Sequence, residues 1–249
     1  MSNGKIFVVG IGPGGLDEMT PKARKAIEAA EVVAGYNTYV RLVEKILGGK
    51  KIIGRAMMQE VERSHLAIEE ALKGRTVAVI SSGDSGVYGM AGLVLEMILN
   101  LPEENRPQFE IVAGVSAVNA AAAILGAPLM HDFAIISLSD LMTPWELIEQ
   151  RVRSAAQSDF VIALYNPKSK RRVNQLVEVQ KILLEFREKN TPVGIVTNAG
   201  RIGESKIIST LENFTQEEVN MFSLVIIGNS QTFVKAGFMI TPRGYKVSG

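Results

Sequence analysis

The chain has 249 residues, enough for one large domain or two modest ones, and its 47% apolar and 21% charged residues exclude a disordered chain. Basic and acidic residues number 27 and 26 and are spread evenly over both halves, which excludes a nucleic-acid binder working by bulk charge. The absence of cysteine excludes disulfides and thiolate chemistry, and the two distant histidines, His65 and His131, predict no protein-bound metal.

Met1 leads directly into a strand pattern without a signal peptide, so a cytoplasmic protein is expected. Lys5–Gly10 reads as a buried strand, and Thr20-Pro21 as an N-cap and first helical residue. Ala23, Ala26, Ile27 and Ala30 carry that helix at 3.6-residue spacing. A strand at 32–34, a helix at 37–47 and a strand at 51–54 follow. A helix over 60–73 is expected to bury Val61, Leu66, Ile68 and Leu72. Thr76–Ile80 is apolar on both faces and reads as the central strand. A helix near 88–99, a strand at 109–112 and a helix after Ser116 complete a βα alternation. That pattern predicts a mostly parallel sheet with helices on both faces. The 20 uncharged residues Ile111–Met130 hold a helix of only about nine residues, roughly 14 Å, too short for a hydrocarbon core of about 30 Å. No membrane association is expected.

The second half reads differently. Strands are expected at 133–137 and 160–165 with a helix near 144–156 between them. A long amphipathic helix running to about 189 would bury Val173, Leu176, Val179, Leu183 and Phe186. Strands at 192–197, 206–211 and 223–228 have little helix between the first two and predict hairpins, with a terminal strand at 238–241. The expectation is two α/β domains, residues 1–115 with a mostly parallel sheet and 116–249 with a mixed sheet.

Three glycine-rich turns would lie on one sheet edge. Gly10-Ile-Gly12-Pro13-Gly14-Gly15 formally matches a dinucleotide fingerprint. Pro13 removes an N–H, however, the helix start is delayed to Thr20, and Gly35-Tyr36 stand where an acidic residue is required. Ser82-Gly83-Asp84-Ser85-Gly86-Val87-Tyr88 follows the best central strand, where ligands bind in open α/β sheets. Asp84 could accept hydrogen bonds from a ribose or an amine, or Asp84 or Ser85 could simply cap the next helix. Val112-Ala-Gly114-Val-Ser116-Ala117 is the third turn.

These motifs together resemble the tetrapyrrole methylases, enzymes that use S-adenosylmethionine, and the resemblance runs through Thr191–Asn198 and Leu224–Gly228. The longer strings His131–Asp140, Ala163–Lys170, Gly228–Thr232 and Thr241–Tyr245 resemble the branch that methylates C17 of precorrin-3B or cobalt-precorrin-3B in cobalamin biosynthesis, with contraction of the macrocycle. The resemblance implies a cofactor cleft between two α/β domains, a homodimer and a tetrapyrrole substrate. Carried over by position, the cofactor contacts would be Pro13, Ser82, Gly83, Asp84, Val87, Ser116 and Ala117, with Leu164, Tyr165 and Ala199 from the second half. Ser85 departs from the proline many relatives carry. Gly12 and Gly14 would border the substrate. Asp84, Tyr165 and Asn198 are candidates for proton transfer, each of which could equally be a binding or capping group. Lys168, Lys170, Arg171 and Arg172, four cations in five residues, are expected at the start of the long helix, where an anion would offset their unfavourable placement. Substrate carboxylates are the expected anions. The alternatives are a sister methylase acting on another tetrapyrrole carbon, on a protein as diphthine synthase does, or on RNA, and more remotely a nicotinamide-dependent oxidoreductase.

Overall fold

The computed structural model describes residues 4–55, 59–169 and 172–246. The chain divides into two compact units, residues 1–117 and 118–249.

Unit 1 is built on five strands, all parallel, in the order β3-β2-β4-β1-β5: β1 (Lys5–Gly10), β2 (Val32–Tyr36), β3 (Lys51–Arg55), β4 (Thr76–Ser81) and β5 (Gln108–Val112). Helices α1 (Pro21–Ala29) and α2 (Asn37–Leu42) cover one face, where Ala23, Ala26 and Ile27 pack with Val9, Val33 and Ile80. Helices α3 (Glu60–Leu72) and α4 (Ala91–Leu99) cover the other, where Ala67, Ile68, Val94 and Ile98 pack with Ile6, Val8 and Val79. The helix expected at 37–47 breaks after Leu42 into a 3₁₀ turn over Glu44–Ile46. On α3, Val61 and Leu72 face solvent, while Arg63, Ser64, Ala67 and Ala71 are buried. Small residues let α3 sit close to the sheet.

The α3 register also places Glu70 in a cluster of cations. Its carboxylate is nearly buried and accepts from Lys73 at 2.7 Å, Lys51 at 2.9 Å and Arg75 at 2.5 Å, tying α3 to β3 and to the entry of β4. The hydrogen bonds from Lys73 and Lys51 hold its pKa down to about 2. Because the folded pKa lies below the unfolded value near 4.3, this group stabilises the fold above that value and its contribution is lost as pH falls towards 2. Urea denaturation between pH 5 and pH 2 should therefore show a loss of stability that is shallower in Glu70→Gln.

Unit 2 begins with α5 (Ala117–Leu125, whose first residue belongs to unit 1) and short β6 (Gly126–Ala127). Its main sheet has the order β10-β9-β11-β8-β7. Strands β7 (Phe133–Ser137) and β8 (Val161–Tyr165) are parallel, joined through α6 (Trp145–Gln157). Strands β9 (Pro192–Thr197), β10 (Ser205–Thr210) and β11 (Ser223–Ile227) pair antiparallel, the first two as a hairpin. Helix α7 is Gln175–Leu184, shorter than the helix expected to reach 189. Val173 precedes it and is exposed, and Phe186 follows it and is half-exposed. Ile148, Val152, Val179 and Leu183 bury against Ile162, Val193, Ile195 and Val225. On the opposite face Gly194 admits Leu125 of α5, since a Cβ there would sit 2.4 Å from a Leu125 methyl. Hairpin β12 (Phe233–Lys235) and β13 (Phe238–Ile240) adds to β6 as a third, small sheet. Among the described residues no helix is long and apolar enough to cross a membrane.

Candidate functional site

Strands β1 and β4 are neighbours, yet the helix after β1 lies on one face of the sheet and the helix after β4 on the other. Such a switch point opens a crevice at the carboxyl ends of the strands, the place where open α/β sheets bind ligands. The three glycine-rich turns converge there. Gly12 and Gly83 exchange both backbone hydrogen bonds, at 3.0 and 2.8 Å. Gly12 has φ +81° and packs against the Glu18 carbonyl, a conformation and an approach closed to other residues. Gly114 completes the junction, with Gly83 O and Gly10 O lying 2.3 and 2.6 Å from where its Cβ would be. The fingerprint-like turn thus spends its amide on the neighbouring loop. Helix α1 starts only at Pro21, where Thr20 Oγ1 accepts from Ala23 N at 3.1 Å. Both features oppose a pyrophosphate site.

Asp84 is the clasp of this junction. Its Oδ1 accepts from Gly86 N at 2.8 Å and its Oδ2 from Gly114 N at 2.9 Å, so one carboxylate fixes its own loop and ties it to the loop after β5. It does not cap α4. That helix begins at Ala91, with Met90 N donating to Ser81 Oγ at 3.1 Å and Ala91 N to the Ser85 carbonyl at 2.9 Å. Ser85, fully buried, donates from Oγ to the Val8 or Val112 carbonyl at 3.3 and 3.4 Å, stitching the loop to β1 and β5. Pro13, Gly14, Ser82, Val87, Ser116 and Ala117 lie on these same three turns.

The remaining sequence candidates gather in unit 2, at the end of the sheet where β7, β8 and β9 finish and β10 and β11 begin. Tyr165 Oη accepts from Val118 N at 2.9 Å and so satisfies an open donor in the first turn of α5. Leu164 is wholly buried in the core, leaving only its backbone for a ligand. Asn198, φ +54°, ends β9, and Ala199 follows it in the β9–β10 turn. At this same end Thr197, inside the 191–198 string, and Ser223, which no motif in the sequence singles out, pair their hydroxyls at 2.7 Å.

The basic segment departs from expectation. Lys170 and Arg171 lie outside the described residues. Arg172 is not a rim cation: it is 8% exposed, its Nε donates to the Asn166 carbonyl at 3.1 Å and its Nη1 meets Asp140 at 3.3 Å. Lys168 and Arg172 also precede α7, which starts at Gln175, so they do not face its first-turn donors. Asp140 additionally accepts from Gln175 at 3.0 Å, and Asn166 Nδ2 donates to Ser137 Oγ at 2.9 Å. The strings 131–140 and 163–170 are therefore joined through Asp140 and Arg172.

Residues 5–215 match the model of the family "Tetrapyrrole (Corrin/Porphyrin) Methylases". The chain belongs to that family. It is 50% identical over 240 residues to a "Probable cobalt-factor III C(17)-methyltransferase" of Salmonella typhimurium, covering 96% of this chain and 99% of that one. It is 49% identical over 245 residues to the "Cobalt-factor III methyltransferase" of Priestia megaterium, where it covers 98% of this chain but spans only 45% of that protein's length. Among solved structures, that of the methyltransferase CobJ superposes with a TM-score of 0.90 at 36% identity, over 96% of this chain and all of that one. Cobalt precorrin-4 methyltransferase CbiF follows at 0.72 and 25%, over 90% and 94%. The tetrapyrrole methylase therefore carries its glycine junction and its Tyr165 end on the two-unit α/β fold of that family.

Proposed function

We propose that this tetrapyrrole methylase transfers a methyl group from S-adenosylmethionine to C17 of cobalt-precorrin-3B (cobalt-factor III) in cobalamin biosynthesis, with contraction of the macrocycle. The observation that carries this reading is identity of 40–50% to relatives named for that reaction on the cobalt substrate, against 36–37% to CobJ and CobIJ.

The residues fit a cationic cofactor. The turns 11–20, 82–90 and 113–117 contain Asp17, Glu18 and Asp84 and no lysine, arginine or histidine. A sulfonium and an ammonium find carboxylate and carbonyl oxygen there and no like charge to oppose them. When bound, S-adenosylmethionine supplies an electrophilic methyl and leaves as the neutral thioether. Ser82, Gly83, Asp84, Val87, Ser116 and Ala117 would hold it, with Pro13 beside them and Gly12 and Gly14 towards the substrate. Tyr165 and Ala199 belong to the same proposal. The junction supplies orientation: turns bonded backbone to backbone hold a ligand with little residual motion, and orientation alone lowers a barrier by about 7–11 kcal/mol. Asp84, with both oxygens already accepting, acts in this reading as a positioning group before it acts as a base. The homodimer and the cytoplasmic setting belong to the same proposal.

The test is ligand choice followed by turnover. S-adenosylhomocysteine at 100 times its Kd should stabilise the protein by about 2.7 kcal/mol in a thermal-shift experiment, and NAD should not. Turnover should follow with the cobalt-containing macrocycle and be slower with metal-free precorrin-3B, the product identified by the site of its new methyl group. A product methylated at another carbon would overturn the C17 assignment.

A further inference from the structure

At the end of the unit 2 sheet opposite Tyr165, where β8 and β9 begin and β10 and β11 end, a cavity of about 620 Å³ opens. No residue of the glycine junction or of the Tyr165 end lines it. Thr191, Asn229 and Arg187 do, and each is more than nine-tenths buried. The strands bring these three together. Ile227 pairs with Val193 and Gly228 N donates to Pro192 O at 2.9 Å, so the same antiparallel register sets Asn229 beside Thr191. Arg187, just past α7, reaches the Gly228 carbonyl through Nη1 at 2.6 Å.

Two donors are left open at this wall. Asn229 Oδ1 accepts from Gln231 N at 3.0 Å and from Thr232 Oγ1 at 3.1 Å. Those bonds fix which way the amide faces, and its Nδ2 donates to nothing among the described residues. Thr191 Oγ1 has no partner there either. A buried amide held with its donor spare at a cavity marks a place for an acceptor.

Charge and size identify that acceptor. Arg187 Nη1 and Nη2 donate to the carbonyls of Gly228 and Phe160, its buried Nε donates to nothing, and no carboxylate among the described residues forms an ion pair with it. Asp159, the acid whose charge acts on Arg187, spends its two oxygens on Ser230 N at 2.9 Å and Ser230 Oγ at 2.6 Å. Glu188 also lines the cavity but is exposed, where water and salt screen it. The buried guanidinium therefore leaves the cavity a positive potential. A bare inorganic anion would fill only part of the volume, and the partly exposed Phe186, Phe233 and Val234 give the remaining wall an apolar surface.

We propose that this cavity binds a small organic anion, a phosphate monoester or a carboxylate carried on an apolar body. Asn229 Nδ2 and Thr191 Oγ1 donate to its oxygens, Arg187 supplies the opposite charge, and Phe186 and Phe233 flank the body. The site lies wholly within unit 2 and stands whether or not the chain methylates C17.

Isothermal titration calorimetry of the full chain with phenyl phosphate, phenylacetate, inorganic phosphate and benzyl alcohol tests the proposal. At least one of the two aromatic acids should bind, and the comparison between them tells which acid the site prefers. Inorganic phosphate should bind more weakly, and benzyl alcohol should give no heat. Asn229→Asp keeps the Oδ1 acceptor and puts a like charge where Nδ2 stood, so it should weaken the preferred acid by roughly tenfold or more. Thr191→Val removes the hydroxyl at nearly constant shape and should weaken it several-fold. Both variants should keep the parent thermal shift with S-adenosylhomocysteine. Parent-like affinity in Asn229→Asp overturns the proposal by placing the acid elsewhere. No binding of either aromatic acid overturns it, and so does benzyl alcohol binding as tightly as they do. If Asn229→Asp fails to fold, Thr191→Val decides alone, and parent-like affinity there overturns the proposal.

Discussion

Gly114→Ala should abolish cofactor binding and lower stability by about 3 kcal/mol, at the upper end of overpacking costs, which for a unit of this size is a fall in Tm of the order of 10 °C. The reason is where the new methyl would go. It would meet Gly83 O at 2.3 Å and Gly10 O at 2.6 Å, and both atoms belong to backbone already committed to the loop junction. A side chain could rotate away, but these carbonyls cannot without breaking the Gly12–Gly83 exchange or moving β1. Gly15→Ala is the control. Gly15 sits at φ −78° in extended backbone with nothing within 4 Å of its Cβ position, so its change should stay within about 0.5 kcal/mol. Asp84→Ala attacks the same junction from the other side, freeing Gly86 N and Gly114 N. Since Asp84 and Gly114 share a hydrogen bond, the double variant should cost less than the sum of the two single variants. Differential scanning calorimetry, with and without S-adenosylhomocysteine, reads all four proteins. An intact cofactor shift in Gly114→Ala would detach the junction from the cofactor.

The βα alternation was legible because the inner strands β1, β2 and β4 are apolar and mostly buried and the turns after β1, β4 and β5 carry glycine, signals that lie close together in sequence. Thr20-Pro21 placed the start of α1 to the residue for the same reason. What escaped was long-range. Apolar periodicity put Val61 and Leu72 in the core, whereas α3 turns its small residues and Arg63 inward, since close approach to the sheet outweighs the burial of two side chains at the helix margins. Val173 and Phe186 were drawn into α7 by spacing alone, although the helix they flank ends at Leu184. The glycine turns were readable as a group, but their chemistry was only half readable. Gly12 and Gly114 look like residues kept small for a ligand and are in fact pressed against other backbone. Gly228–Thr232 and Thr241 are distinctive strings for another reason. They lie at the far end of the sheet from Tyr165, where Thr232 and Thr241 pair hydroxyls at 2.8 Å and the buried Arg187 binds the Gly228 carbonyl at 2.6 Å. Burial pulls the pKa of Arg187 down to about 10. These residues build the scaffold, and a resemblance resting on them speaks to the branch of the family more than to the site.

Arg172 and Lys168, four residues apart in one basic run, should separate cleanly by experiment. Arg172→Ala removes a guanidinium that is more than nine-tenths buried and that joins Asp140 to the Asn166 carbonyl. A fully buried pair costs about 3–5 kcal/mol to break, and Asp140, a third exposed and still held by Gln175, brings the expected loss to about 2 kcal/mol. That loss should hardly respond to salt, because the buried geometry shields it from the solvent. Turnover should fall at every ionic strength, since the loop after β8 loses its anchor to the loop after β7. Lys168→Ala should leave stability within about 0.5 kcal/mol and raise KM for the macrocycle only at low salt, as a partly exposed charge steering a polycarboxylate must. Chemical denaturation and initial rates at two ionic strengths measure both. A salt-dependent KM in Arg172→Ala with unchanged stability would return that arginine to the rim of the site. Asp140→Ala then decides the matter from the other partner: by stranding a buried cation, it should destabilise at least as much as Arg172→Ala, although Asp140 itself lies mostly beyond reach of the substrate's carboxylates by like charge.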